Sequence, residues 1–207
     1  MDTFELVARE RAGLADTLGG LTDAQWTEPS RCDGWRERDV LAHLVFPLQT
    51  STASLLVRMV RARLDFNRMA DEAARGDTRP PAELLAAYRA NIEHRFTPPG
   101  FGFEAPLTDT VVHGEDMLVP LGIRRDVAPD ALTNVLDFLV STKATRGFTA
   151  KGRVDGLTFR ATDLDWSSGA GPEVSGRAVD LASAICGRPS AVADLAGDGL
   201  DTFRTRL

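Results

Sequence analysis

His43, Asp109 and His113 are the residues whose types and spacing could do chemistry in this chain. Two imidazoles and a carboxylate close three corners of a tetrahedral metal site and leave the fourth open, the arrangement of a catalytic zinc centre rather than a structural one. Asp109 and His113 are four residues apart, so on a helix they share one face. His43 must then come from a facing helix. Both histidines sit in apolar runs, Leu41-Ala42-His43-Leu44-Val45 and Val111-Val112-His113. A buried imidazole needs a partner for each polar nitrogen, or a metal. The competing reading makes Asp109 a cap or surface residue and His113 a hydrogen-bonded core residue. No other stretch offers comparable chemistry.

Apolar spacing predicts helices over residues 3–19, 36–63, 81–96 and 106–119. Four helices joined by loops imply a bundle, and bundle cores are a usual place for metal sites. Arg11 interrupts the apolar stripe of the first helix. Asp33 is the expected cap of the second. Pro47 clashes with the carbonyl four residues back, so a kink is expected beside His43. Residues 21–26 read as a short helical turn, and residues 64–79 as a helical extension followed by a loop.

The pattern changes after about Asp126. Residues 129–143 read as a helix, 157–162 and 173–175 as strands, and 163–171 as the turn that would pair them in a hairpin. Residues 177–186 read as a helix with Gly187 at its C-terminal end, and 201–207 as a short final helix.

The chain has 207 residues and a net charge of −6, with acidic and basic residues interspersed. No basic stripe appears, so neither nucleic acid nor an anionic membrane is expected as a partner. The start, Met1-Asp2-Thr3-Phe4-Glu5, lacks the basic and apolar regions of a signal peptide. Apolar stretches are far shorter than a membrane span. Cys32 and Cys186 are too few for a disulfide framework, so a reducing cytoplasm is expected.

Several segments together resemble a known family. They are Trp35 with Arg38-Asp39-Val40-Leu41-Ala42-His43-Leu44, then Asp109-Thr110-Val111-Val112-His113-Gly114-Glu115-Asp116, then Pro120-Leu121-Gly122. These look like the DinB-like superfamily and, more narrowly, the mycothiol-dependent maleylpyruvate isomerase family. Leu157 to Asp163, Trp166, Gly169-Ala170-Gly171, Val174-Ser175-Gly176 and Gly187-Arg188-Pro189 look like that family's small appended domain.

The resemblance implies an α+β chain: an N-terminal DinB-like four-helix bundle over residues 1–125 and a small C-terminal α/β domain over 126–207. It implies a divalent metal, with zinc expected, on His43, Asp109 and His113. It also implies mycothiol, the low-molecular-weight thiol of actinobacteria, as cosubstrate. A metal favours the thiolate, which is the nucleophile. In the isomerase the thiolate adds to a cis double bond conjugated to a carbonyl, the bond rotates, and elimination returns the trans alkene. Relatives transfer the thiol to an electrophile instead. The isomerase has Glu where this chain has Asp109, one methylene shorter. Two other readings compete: a non-catalytic metal- or ligand-binding module, and a metal-dependent hydrolase with water in the open position.

Asp116, three residues after His113, could orient a ligand histidine. Arg188 could bind a substrate carboxylate in bidentate fashion, against a plain reading as a helix-terminal surface arginine. Glu115 is expected on the surface, and His94 is a reserve ligand. Trp35 and Trp166 are read as packing residues, and Cys32 as an incidental loop cysteine.

Overall fold

The computed structural model describes residues 2–207. The chain forms two compact units. One comprises Val7–Phe96 and Asp116–Arg125; the other comprises the chain up to Leu6, Thr97–Glu115 and Asp126–Leu207. The chain is mostly helical, with one small sheet near its C-terminus.

The helices before Asp126 are α1 (Thr3–Leu18), α2 (Glu37–Gln49), α3 (Thr52–Arg61), α4 (Phe66–Gly76), α5 (Pro81–Ala90) and α6 (Glu104–Leu118). In the first unit, Leu14 and Leu18 of α1, Leu41 and Leu44 of α2, Leu84 and Tyr88 of α5, and Met117 and Leu118 of α6 share one core. Four helices therefore contribute to a single apolar interior, as the bundle expectation required.

The start of α2 is fixed by Asp39, not by Asp33. The Asp39 Oδ2 accepts the Arg36 backbone N–H at 3.0 Å and also the Arg36 Nε at 2.9 Å. Burial works against the Asp39 carboxylate, but its bonds to Arg36 and the nearby Arg38 hold it below the usual carboxylate range. Arg38 also donates to the backbone carbonyls of Asp77 and Arg79 at 2.8 and 2.7 Å, tying the segment after α4 to α2.

The helix expected over 36–63 is two helices. α2 continues through Pro47 to Gln49, Thr50 is extended, and the Ser51 hydroxyl oxygen accepts the Ser54 N–H at 3.2 Å to start α3. A serine three residues before a free N–H offers a local cap that competes with helix continuation. Arg63 and Leu64 then take left-handed backbone angles (φ 60° and 63°), and Asp65 caps α4 by accepting from the Arg68 N–H.

Arg11, the polar break in the stripe of α1, is buried. Its guanidinium donates to the carbonyls of Ile92 and His94 at 3.1 and 2.9 Å. It thus satisfies backbone acceptors just beyond α5, which ends at Ala90 rather than at 96.

In the second unit α7 (Pro129–Leu139) ends four residues short of expectation, where the Thr149 hydroxyl donates to the Leu139 carbonyl at 2.8 Å. The rings of Phe101, Phe138 and Phe148 meet edge-on, with centroids 5.1–6.0 Å apart. The sheet consists of β1 (Thr158–Ala161), β2 (Ser167–Gly169) and β3 (Glu173–Gly176) in the order β2-β1-β3.

The two expected strands do pair, but in parallel, with Phe159 opposite Val174. The antiparallel partner of β1 is β2, inside the stretch read as a turn. Ser167-Ser168-Gly169 carries no apolar alternation and so gives no strand signal. Its Gly169 has φ +94°, and a Cβ there would lie 2.1 Å from the Leu157 carbonyl oxygen. α8 (Ala178–Ile185) follows β3, starting where Asp163 accepts the Ala178 N–H at 2.8 Å, and α9 (Leu200–Arg204) is the last element. Among the described residues no helix is long and apolar enough to cross a membrane.

One buried ion pair tests the first unit. Arg125 Nη1 lies 2.8 Å from Glu10 Oε2, with both side chains about 5 % exposed or less. Arg125→Ala should cost about 3–5 kcal/mol in urea unfolding, because it strands a buried carboxylate. Breaking the exposed pair Arg68–Glu72 by Glu72→Ala should cost far less, because solvent screens it. Equal losses would contradict this account.

Candidate metal centre

α6 is enclosed on every side. From Ala105 to Leu118 each residue is buried except Asp109 and His113, which are half-buried. Burial of the whole circumference is the property of a central helix. The two proposed ligands are therefore the places where this helix reaches solvent.

His43 has the same intermediate exposure on α2, between the buried pairs Leu41-Ala42 and Leu44-Val45. The α2 leucines and the end of α6 belong to one core, and His113 stands one helical turn before Met117 of that core. One ligand atom from each of His43, Asp109 and His113 lies within 4.8 Å of the others. Zinc bonds of about 2.0–2.2 Å place tetrahedral ligand atoms roughly 3.4 Å apart, so small side-chain rotations suffice to close the set. The donor types fit a divalent metal such as zinc, and partial exposure fits an open fourth position.

Trp35 backs the first ligand. Its ring lies against His43, with centroids 5.2 Å apart at 47°, and its indole N–H donates to Asp71 Oδ1 at 2.8 Å. Packing is the role the sequence suggested, and here the packing is against the His43 imidazole. Trp166 has no such place; its indole N–H donates to Asp137 at 2.8 Å.

Asp116 is fully buried. Its carboxylate accepts from the Cys32 thiol at 3.3 Å, and its backbone carbonyl accepts the Arg31 N–H at 2.9 Å. Cys32, His113 and Asp116 form a second group whose ligand atoms lie within 4.8 Å of one another. Cys32 is thus tied to α6 through Asp116. Glu115 is buried rather than on the surface, because α6 has no solvent-facing side there. His94 is exposed, and neither group includes it. Arg188 is half-buried beyond α8, donates to the Cys186 carbonyl at 3.2 Å, and also belongs to neither group.

Glu37 was not singled out by its sequence. It is fully buried, and among the described residues neither carboxylate oxygen has a hydrogen-bond partner. Burial, the charge of Asp116 and the charge of Glu28 push its carboxyl up to about 9, so it is neutral at pH 7. A signal was present: Glu37, Leu41, Leu44 and Leu48 repeat at helical spacing, which places an acid in the apolar stripe of α2.

Residues 7–97 match the family model described as "Mycothiol maleylpyruvate isomerase N-terminal domain". The fold is also that of solved structures of the mycothiol-dependent maleylpyruvate isomerase. The unmodified enzyme and a variant with one histidine changed to alanine each match with a TM-score of 0.60 and 18 % identity. Each match covers 95 % of this chain and 91 % of the other. No curated protein matches the chain. The resemblance read from the motifs, and the α+β class with a helical bundle followed by a small sheet, are thus borne out.

Glu37 gives a pH test. Its folded-state value lies above the ordinary one of 4.5, at about 9. Below 4.5 it costs nothing in charge terms; as pH rises from there toward 9, the unfolded chain ionises while the folded chain does not, and stability is lost. In metal-free protein, Glu37→Gln should therefore raise Tm at pH 8 by more than at pH 5. An equal shift at both values would show that Glu37 is charged in the fold.

Proposed function

We propose that this chain is a metal-dependent enzyme that activates a low-molecular-weight thiol, mycothiol, for isomerisation of, or transfer to, a small electrophilic substrate. The observation that carries this is the grouping of His43, Asp109 and His113 within 4.8 Å, on side chains that keep partial access to solvent. The matched N-terminal domain and the shared fold support the choice of thiol. A divalent metal there, with zinc expected, would supply positive charge that favours thiolate over thiol.

The chain's own residues divide the remaining work. His43, Asp109 and His113 would hold the metal and leave one position for the thiol. Asp116, within 4.8 Å of a His113 nitrogen, would accept from that ring and fix its orientation. Trp35 limits the rotation of His43 from the other side. Asp109 would supply a carboxylate one methylene shorter than the Glu of the isomerase. Arg188 remains our candidate for a substrate carboxylate, by its chemistry alone. The cytoplasm remains the expected compartment.

Protein purified without added metal should carry about one divalent ion per chain at this centre, and His43→Ala should leave it substoichiometric. Mycothiol-dependent turnover of cis-enone acids should fall by about 10³-fold in that variant, since a lost metal contribution of roughly 4 kcal/mol corresponds to that factor. Metal content unchanged by His43→Ala would overturn the proposal. Turnover of the acids without thiol would remove the thiol from it.

A further inference from the structure

α3 carries two apolar stripes, and its own unit uses one of them. Leu55 and Met59 are half-buried and Ala62 is buried, so these three form the inward side. Ala53, Leu56, Val57 and Val60 follow each other at i, i+3, i+4 and i+7 on another side, and all four are exposed. That spacing is the seam of one helix packed on another. Leu56 is 64 % exposed, Val57 50 % and Val60 61 %, and beyond the helix Leu64 and Phe66 are 71 % and 56 % exposed. The turn that presents Leu64 is fixed by its backbone. The Arg63 N–H donates to the Val60 carbonyl at 3.0 Å, and the Leu64 N–H donates to the Met59 carbonyl at 2.8 Å. Both residues hold left-handed angles there, a conformation that is costly without glycine. Leu56, Val57, Val60, Leu64 and Phe66 together expose roughly 600 Å² of apolar surface, the top of the range for a patch on a monomer. A standard interface takes about 800 Å² from each partner, so this patch with a polar rim has the size of one side of a dimer contact.

We propose that this face is the contact between two copies of the chain, with α3 packed antiparallel on α3 about a two-fold axis. The charges select that occupant and that orientation. Residues 51–57 carry no charge, whereas Arg58, Arg61 and Arg63 follow with no acid before Asp65. An antiparallel pair sets the uncharged half of each helix against the arginine-bearing half of the other, and Leu56 of one copy falls opposite Val60 of the partner subunit. A parallel pair would set Arg61 beside Arg61, a like-charge contact. Arg58 turns away from the seam and lies over the Phe46 ring, 5.3 Å from its centroid. The contact requires neither a metal nor a thiol, so it stands apart from the catalytic reading.

Sedimentation velocity of the full chain should show a species of twice the 22.4 kDa monomer mass that grows with concentration through the micromolar range. Val60→Glu places a charge in the seam and should leave a monomer with unchanged far-ultraviolet circular dichroism. Leu56→Glu, at a second exposed position, should do the same. Asp16→Lys, an exposed change on α1, should leave the dimer intact. Orientation is read by oxidation: copies carrying Leu56→Cys should cross-link to copies carrying Val60→Cys faster than either links to itself. A monomer at every concentration, or a dimer that survives both glutamate variants, would overturn the proposal. Faster self-linking of either cysteine variant would overturn the antiparallel pairing. Binding of a monomeric chain to phosphatidylcholine–phosphatidylglycerol vesicles, lost in Val60→Glu, would also overturn the proposal by giving the face to a lipid surface.

Discussion

The structure depends on keeping polar residues on a helix that has almost no solvent. α6 carries Asp109, His113, Glu115 and Asp116 within two turns, and only the first two of them retain partial access. A carboxylate or imidazole removed from water must find compensation in hydrogen bonds, in opposite charge or in a metal. The chain meets that requirement in part with a neighbouring element: the loop before α2 brings Cys32 and Arg31 to Asp116.

The same demand recurs elsewhere in the first unit, with different solutions. Glu10 is answered by Arg125, and Asp39 by Arg36 and Arg38. Arg11 is answered by the carbonyls that follow α5. Glu37 is the exception, remaining neutral instead of finding a cation within the chain. The contrast gives that residue its interest: where the fold supplies an arginine the acid is ion-paired, and where it does not the acid stays protonated.

Much of this was legible in the residues because it rests on local spacing. Asp109 and His113 follow helical periodicity, and an imidazole inside Leu41 to Val45 is conspicuous. The apolar stripes of α1, α2, α5 and α6 gave the bundle for the same reason. What could not be read depended on competition or on distant pairing. The break at Thr50 arises because Ser51 caps a new helix more favourably than α2 continues past Pro47. The parallel register of β1 and β3 exists because β2, made of serine and glycine, takes the antiparallel edge that a hairpin would have used. Glu115 was assigned to solvent from its helical position, but α6 has no solvent side there. Cys32 acquires its meaning only from a residue 84 positions away.

Trp35 carries a further consequence. Its indole is fixed at one end by Asp71 of α4 and lies tilted at 47° to the imidazole of His43, with centroids 5.2 Å apart. An aromatic ring in that position senses changes in the electron density and charge of its neighbour. The chain therefore carries a built-in optical probe, since an indole in contact with an imidazole is the tryptophan whose emission should respond to a change of charge on the His43 ring.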